Sequence, residues 1–455
     1  MVIFVWAFLV CTSLRAKPAQ SGRPEVIQPG KLMEKVVCKA DPTQSYALYI
    51  PTIGARGPLP IIYFFDPHGA GTFPLNKYKL LAETYGFILV GSNNSKNGND
   101  YSTSETIWQK LYADTRGRWK ILPNRMYTCG FSGGAKVASF IAIQHPEIKG
   151  VIAGGAGLPD GVGADNFPFS VTLLAGEGDM NLTDLIAIND QLDKTRTRHR
   201  IIFFDGKHEW APAAKMDIAF AGLQLDAMQG ALIPKDNSFI NRIITASKSR
   251  LEGYYKTNQL IKAGQECRLS AQLLDGVSNE SAWFKEKMTT LTANAQYQKQ
   301  LQTQQGLLVK EQYTKAEYMP HFQQGDERYW NTIINDLKAK AKAGGAGGTA
   351  NAERGMNQRL LAYLSLAFYS LSNRMISSND NAGALHFVSL YKLADPSNSE
   401  AWYFSALLNA RNKQTKAATS DLEKAIDCGF NDKDRLMHQP EFQGLDLSGV
   451  KRKWR

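Results

Sequence analysis

The stretch that most restricts how this chain can fold is residues 125–145, RMYTCGFSGGAKVASFIAIQH. Residues 126–129 form a short apolar run with the character of a buried strand, and residues 135–145 carry apolar side chains at helical spacing. Between them, Gly130-Phe131-Ser132-Gly133-Gly134 fits the pattern G-x-S-x-G on a strand-to-helix turn. Such a turn holds the serine on a sharp, strained backbone with its oxygen exposed, where a Cβ on either neighbouring glycine would collide with the adjoining strand or helix. Ser132 is therefore predicted to be a nucleophile. An ordinary Gly-Ser turn is the alternative, and the strand-turn-helix setting speaks against it.

The surrounding pattern gives the turn its sheet. Residues 36–39 and 46–50 read as an antiparallel opening pair of strands. Further strands are predicted at 60–65, 86–91, 125–129, 150–153, 169–175 and 200–204. Most of the later runs are continuously apolar rather than alternating, as strands covered on both faces are. Helices are predicted between them at 77–85, 105–119, 135–145, 181–197 and 213–229. Alternating strands and helices imply an α/β fold, a mostly parallel sheet wrapped by helices, with a site at the carboxyl ends of the strands.

Two of those strand ends carry what a serine nucleophile needs. Gly176-Glu177-Gly178-Asp179 follows one strand, and Gly206-Lys207-His208-Glu209-Trp210 follows the next. The chain order Ser132, Asp179, His208 is the nucleophile, acid, histidine order of the α/β-hydrolase fold. Glu177 competes with Asp179 for the acid role, and the spacing from Gly176 favours Asp179. Five cysteines stand singly, with no C-x-x-C pair, so neither a zinc site nor a disulfide framework is indicated. Cys129, inside a predicted strand, reads as a small buried hydrophobe.

With these pieces, and with Pro67-His68-Gly69-Ala70-Gly71 after an early strand and Asn181 after Asp179, residues 36–230 resemble a secreted α/β-hydrolase. The resemblance is to the esterase group that includes feruloyl and acetylxylan esterases, polyhydroxybutyrate depolymerases and dienelactone-hydrolase relatives. It implies that Ser132 attacks an ester carbonyl, that His208 takes and returns its proton, and that Asp179 orients the imidazole. It also implies oxyanion donors at the Gly133 N–H and in the loop Gly69, Ala70 and Gly71. Trp210 and His68 would lie beside the substrate, Trp210 lining the alcohol side or packing, and His68 shaping its loop. No metal or organic cofactor is implied. The sequence departs from the group at Asp66-Pro67, where apolar residues are usual, and in the long polar loop 93–103, which reads as a lid or an exposed loop.

At the amino end, residues 1–14 are apolar over too short a length to span a bilayer and are followed by Arg15-Ala16-Lys17-Pro18. This is the outline of an export leader cleaved near Ala16, without the usual positive start, and it predicts a secreted or periplasmic protein. Lipid anchoring at Cys11 is the weaker alternative, because Val10 precedes it. The expected divisions are a leader at 1–16, a catalytic unit at 30–232, a helical middle region at 236–343 and a helical region at 350–455. Middle helices are predicted at 239–255, 259–274, 281–305 and 329–342, with a flexible joint at the glycine tract 344–348.

The last hundred residues resemble tetratricopeptide helix pairs, with Trp402, Ala406, Ala418, Leu422 and Ala425 at the large and small positions of one unit. Ser372 and Ala384 fit a degenerate preceding unit in which Tyr391 stands where a small residue is usual, and Ser405 and Asn409 also depart from the pattern. The region is expected to contact another protein or to support the fold. A formal charge of +11 is spread along the chain, dense only at Lys451-Arg452-Lys453, so no nucleic-acid partner is expected. The expected substrate is a small or polysaccharide-linked ester. A serine peptidase, a thioesterase and a non-catalytic scaffold are the alternatives.

Overall fold

The computed structural model describes residues 28–53, 57–324, 326–342 and 348–453. The predicted leader and the glycines of the predicted joint before Gly348 lie outside the described residues.

An eight-stranded sheet organises the first half: β1 (Met33–Val37), β2 (Ser45–Tyr49), β3 (Leu59–Phe65), β4 (Ile88–Ser92), β5 (Ile121–Phe131), β6 (Ile148–Gly154), β7 (Ser170–Gly176) and β8 (His199–Phe204). They lie in the order β1-β2-β4-β3-β5-β6-β7-β8. β2 runs antiparallel to β1 and β4, and every later neighbour pair is parallel. The helices are α1 (Thr72–Tyr85), α2 (Tyr101–Arg118), α3 (Gly133–Gln144), α4 (Leu182–Leu192) and α5 (Ala213–Gln229). This is the α/β-hydrolase arrangement.

Side-chain alternation along the strands divides the core into two layers. Ile62, Phe64, Tyr127 and Cys129 face α1 and α5, whereas Ile61, Tyr63, Phe65 and Met126 face α2, α3 and α4. Because both sets are buried, a strand such as LPIIYFF is apolar throughout although its side chains alternate. Every residue of β3 is buried, as a strand at the centre of a doubly covered sheet must be.

Beyond the sheet come α6 (Asn237–Lys256), α7 (Leu260–Leu274), α8 (Glu280–Thr292), α9 (Ala295–Gln324), α10 (Glu327–Lys342) and α11 (Gly348–Ser377). They are followed by α12 (Asn381–Ala394), α13 (Ser399–Arg411), α14 (Thr415–Asp427), α15 (Lys433–His438) and α16 (Ser448–Lys453). The helix predicted at 281–305 is two helices. Asn294 interrupts it, its Oδ1 accepting the N–H groups of Gln296 and Tyr297 at 2.9 and 3.0 Å and so starting α9 afresh. The helix predicted at 181–197 stops at Leu192, where the chain turns into Thr195 and Thr197.

α6, α7 and α8 extend the sheet's own core: Ile240, Leu251, Leu273 and Phe284 join the cluster under α1 and α5. A separate core starts at Tyr318 and Trp330 and runs through Phe368, Phe387 and Phe404 to Val450. Within it, Ala406, Ala418, Leu422 and Ala425 are buried between α13 and α14. The two irregular positions Ser405 and Asn409 are explained by one carboxylate. Asp421 on α14 accepts from Ser405 Oγ at 2.6 Å and from Asn409 Nδ2 at 2.9 Å. Tyr391 is buried against Tyr369. Among the described residues, no helix is long and apolar enough to cross a membrane.

Candidate active site

The reversal in strand order falls at β3, flanked by β4 on one side and β5 on the other, and the site forms at the carboxyl ends of the strands beside that point. Ser132 leaves β5 with φ 54° and ψ −126°, a strained conformation for a residue bearing a Cβ. Its N–H donates to Gly154 O at 2.8 Å, and its carbonyl accepts the Ala135 N–H at 2.9 Å. The flanking glycines make the turn possible. A Cβ on Gly130 would overlap the Gly134 carbonyl, and one on Gly134 would overlap the Phe65 carbonyl at the end of β3.

Asp179, on the turn after β7, is 1% exposed. Its two carboxylate oxygens lie 3.0 and 2.9 Å from His208 Nδ1, and His208 Nε2 lies 2.9 Å from Ser132 Oγ. With the carboxylate at Nδ1, the imidazole carries its proton there, and Nε2 is left to accept from the serine hydroxyl. Further bonds hold the acid. Asp179 Oδ1 accepts the Asn181 N–H at 2.9 Å, and Asn181 Nδ2 donates to Gly155 O at 2.8 Å. Gly155 has φ +65°, and a Cβ there would press on the His208 ring. Three residues distant in sequence thus form one hydrogen-bonded line. Glu177, the competing acid, is not in it: its carboxylate lies 3.5 Å from Lys262 Nζ.

The loop after β3 is organised by Asp66, the residue marked as a departure. This carboxylate is 4% exposed. It accepts the His68 N–H at 2.9 Å, the Ala70 N–H at 3.4 Å and Trp210 Nε1–H at 2.9 Å. Burial pushes the Asp66 carboxyl up, but the hydrogen bonds from His68 and Trp210 outweigh it and hold the group below its ordinary value. Trp210 is 6% exposed and packs against Phe64, Tyr78 and Phe131, so it ties the histidine loop to the loop after β3 from beneath. These contacts describe packing, one of the two readings of Trp210.

Two of the three predicted donors in the same loop, Gly69 and Ala70, have acceptors within it. The Gly69 N–H is spent on the turn to Asp66 O at 3.1 Å, and the Ala70 N–H faces the Asp66 carboxylate. Gly71 packs directly on Gly91, where a Cβ on either would strike the other's carbonyl. Gly133 opens α3, so its N–H has no acceptor within the helix. His68 has an 82% exposed side chain 3.5 Å from Asp66 Oδ1. Its pKa is raised by that contact and further by the acidic Glu400 and Asp432 of the carboxyl-terminal helices.

One neighbour carries no motif in the sequence. The Asn97 side chain lies against Gly133, on the side where a Cβ would project, and the Asn97 backbone N–H donates to Pro67 O at 2.8 Å. The polar segment between β4 and α2 is thus fastened to the loop after β3, a tie repeated in the His68–Lys96 bridge, and residues 101–103 of the predicted loop are the first turn of α2. Among the described residues, no group of three or more His, Cys, Asp or Glu is placed to hold a metal ion. Cys129 is fully buried, which raises its thiol pKa well above the usual value.

The Asp66 arrangement makes a stability prediction. Trp210→Phe leaves a buried carboxylate oxygen without its donor and should lower unfolding free energy by about 1.5–3 kcal/mol in urea denaturation. Because the folded-state pKa of Asp66 is depressed, its contribution is present above the ordinary carboxyl value and is lost as pH falls through the lower, folded value. Asp66→Asn should accordingly flatten the acid limb of the stability curve over that window.

No protein-family model matches the chain, and no curated protein matches it by sequence. Solved structures do. It is similar to a hyperthermophilic esterase from the archaeon Pyrobaculum calidifontis (12% identity, 44% of this chain, 85% of the other, TM-score 0.35). It is also similar to an S-formylglutathione hydrolase from Agrobacterium tumefaciens (16% identity, 43% of this chain, 93% of the other, TM-score 0.34). A third is a dienelactone hydrolase-like promiscuous phosphotriesterase from metagenomic libraries (14% identity, 45% of this chain, 89% of the other, TM-score 0.31).

Proposed function

We propose that the chain is a serine hydrolase that cleaves carboxylic esters through an acyl-enzyme. The single observation that carries this is the line Ser132 Oγ, His208 Nε2, His208 Nδ1, Asp179, in which each link is 3.0 Å or shorter and the serine sits on a strained turn.

The chemistry follows from the geometry. Ser132 Oγ attacks the ester carbonyl carbon while its proton passes to His208 Nε2, and Asp179 stabilises the imidazolium that forms. The carbonyl oxygen, now negative, lies beside the start of α3 and receives the Gly133 N–H. His208 returns the proton to the alkoxide, which leaves as an alcohol, and an acyl group remains on Ser132. Water then enters, gives its proton to His208 and displaces the acid from Ser132, which recovers its proton.

As parts of the same proposal, residues 1–16 are an export leader and residues 30–232 form the catalytic unit. The helices of 236–343 and of 350–455 belong to the same machine, the latter in tetratricopeptide-like pairs. Release of p-nitrophenol from p-nitrophenyl butyrate tests the activity. The purified protein should turn over this ester with saturation kinetics. No turnover of short-chain esters above the buffer rate would overturn the assignment.

A further inference from the structure

The acid loop is held from two sides. Its N–H groups tie it to the neighbouring strand end, Glu177 N–H to Phe204 O and Gly178 N–H to Gly206 O, both at 2.8 Å. Two of its carbonyls accept from side chains of the helical half. Arg359 Nη1 on α11 donates to Glu177 O at 2.7 Å, and Lys315 Nζ on α9 donates to Met180 O at 2.8 Å. These two carbonyls bracket Asp179.

Both cations stand on one buried carboxylate. Glu311 on α9 is fully buried; its Oε2 lies 2.7 Å from Arg359 Nε and Nη2, and its Oε1 lies 2.8 Å from Lys315 Nζ. Arg359 is 6% exposed. Burying such a cluster loses the hydration of three charges, and an apolar contact of the same volume would join α9 to α11 at least as well. What an apolar contact lacks is the donors left over, and those donors end on the acid loop.

We propose that Arg359 and Lys315, anchored by Glu311, are positioning residues that hold the Glu177–Met180 turn so that Asp179 meets His208. The helical half is then part of the hydrolase rather than an appended module. The proposal rests on the function assigned above to Ser132, His208 and Asp179.

The test compares the full-length wild type with Arg359→Met, Lys315→Met and Arg359→Lys. The readouts are kcat and KM on p-nitrophenyl butyrate, the rate of labelling by a fluorophosphonate, the low-field proton resonance of the His208–Asp179 hydrogen bond, and thermal unfolding. A displacement of the acid by about 1 Å lowers turnover by about 10²-fold. Arg359→Met should therefore lose about that factor in kcat with KM little changed, and its low-field resonance should broaden or shift. Lys315→Met should do the same to a smaller degree, and Arg359→Lys should recover part of the loss.

Should Arg359→Met fail to fold, Lys315→Met, which deletes one donor at the edge of the cluster, decides the matter by the same readouts. Folded variants whose kcat and low-field resonance match the wild type would overturn the positioning role, whatever their melting temperatures. A wild type that neither labels nor turns over ester would instead refute the assignment of Ser132, and these outcomes are distinct.

Discussion

Ser132→Ala should lower kcat on a short-chain ester by about 10⁶-fold, and His208→Ala should reach a similar floor, with the double variant no slower than either. The non-additivity is required by the geometry: the hydroxyl and the imidazole act through one 2.9 Å hydrogen bond, so losing either removes the same proton transfer. A second variant separates chemistry from folding. Ser132 is held at φ 54°, ψ −126°, which costs about 1–3 kcal/mol for a residue with a Cβ. Ser132→Gly should thus be as inactive as Ser132→Ala yet more stable than the wild type, by roughly 1 kcal/mol in urea unfolding. Equal stability of the glycine variant and the wild type would mean that the turn stores no strain.

Gly134→Ala should be strongly destabilising for the addition of a single methyl group. The new Cβ would overlap the carbonyl oxygen of Phe65, which belongs to fully buried β3 and cannot move without displacing the centre of the sheet. Overpacking of a tight core costs about 1–3 kcal/mol, and backbone-on-backbone overlap at the sheet centre lies at or above the top of that range. Gly130→Ala should behave alike, because its Cβ meets the Gly134 carbonyl. Gly117→Ala is the matched control. Gly117 lies within α2 with open space where a Cβ would go, and alanine there should stabilise by about 0.5–1 kcal/mol. Urea unfolding of the three variants reads the contrast directly. If Gly134→Ala were as stable as Gly117→Ala, the close approach of α3 to β3 would be wrong.

The sheet was legible because its signals are local. Continuous apolar runs such as those of β3 and β7, separated by amphipathic helices, report a sheet covered on both faces. The strained turn at Ser132 was legible for the same reason, since the steric need for Gly130 and Gly134 is written within five residues. Asp179 and His208 could be placed only by chain order, and their meeting depends on β7 and β8 being neighbours.

What the sequence concealed depends on side chains far apart in the chain. Asp66 stood out as an irregularity, yet its partner Trp210 is 144 residues away, so nothing local showed that the pair fastens two loops. Asn97 sits in a polar loop whose composition describes any exposed segment. Arg359 reaches the Glu177 carbonyl across 182 residues, and Arg359 itself belongs to no motif. The last helices carry a recognisable spacing of large and small residues. Their irregular positions Ser405 and Asn409 became intelligible only when Asp421 was found between them.

Covalent capture tests the central claim most directly. After reaction with a fluorophosphonate, intact-mass spectrometry and peptide mapping should find one adduct per chain, on Ser132, formed far more slowly in His208→Ala. An unlabelled protein, or an adduct on another serine while Ser132→Ala retains full ester turnover, would contradict the account.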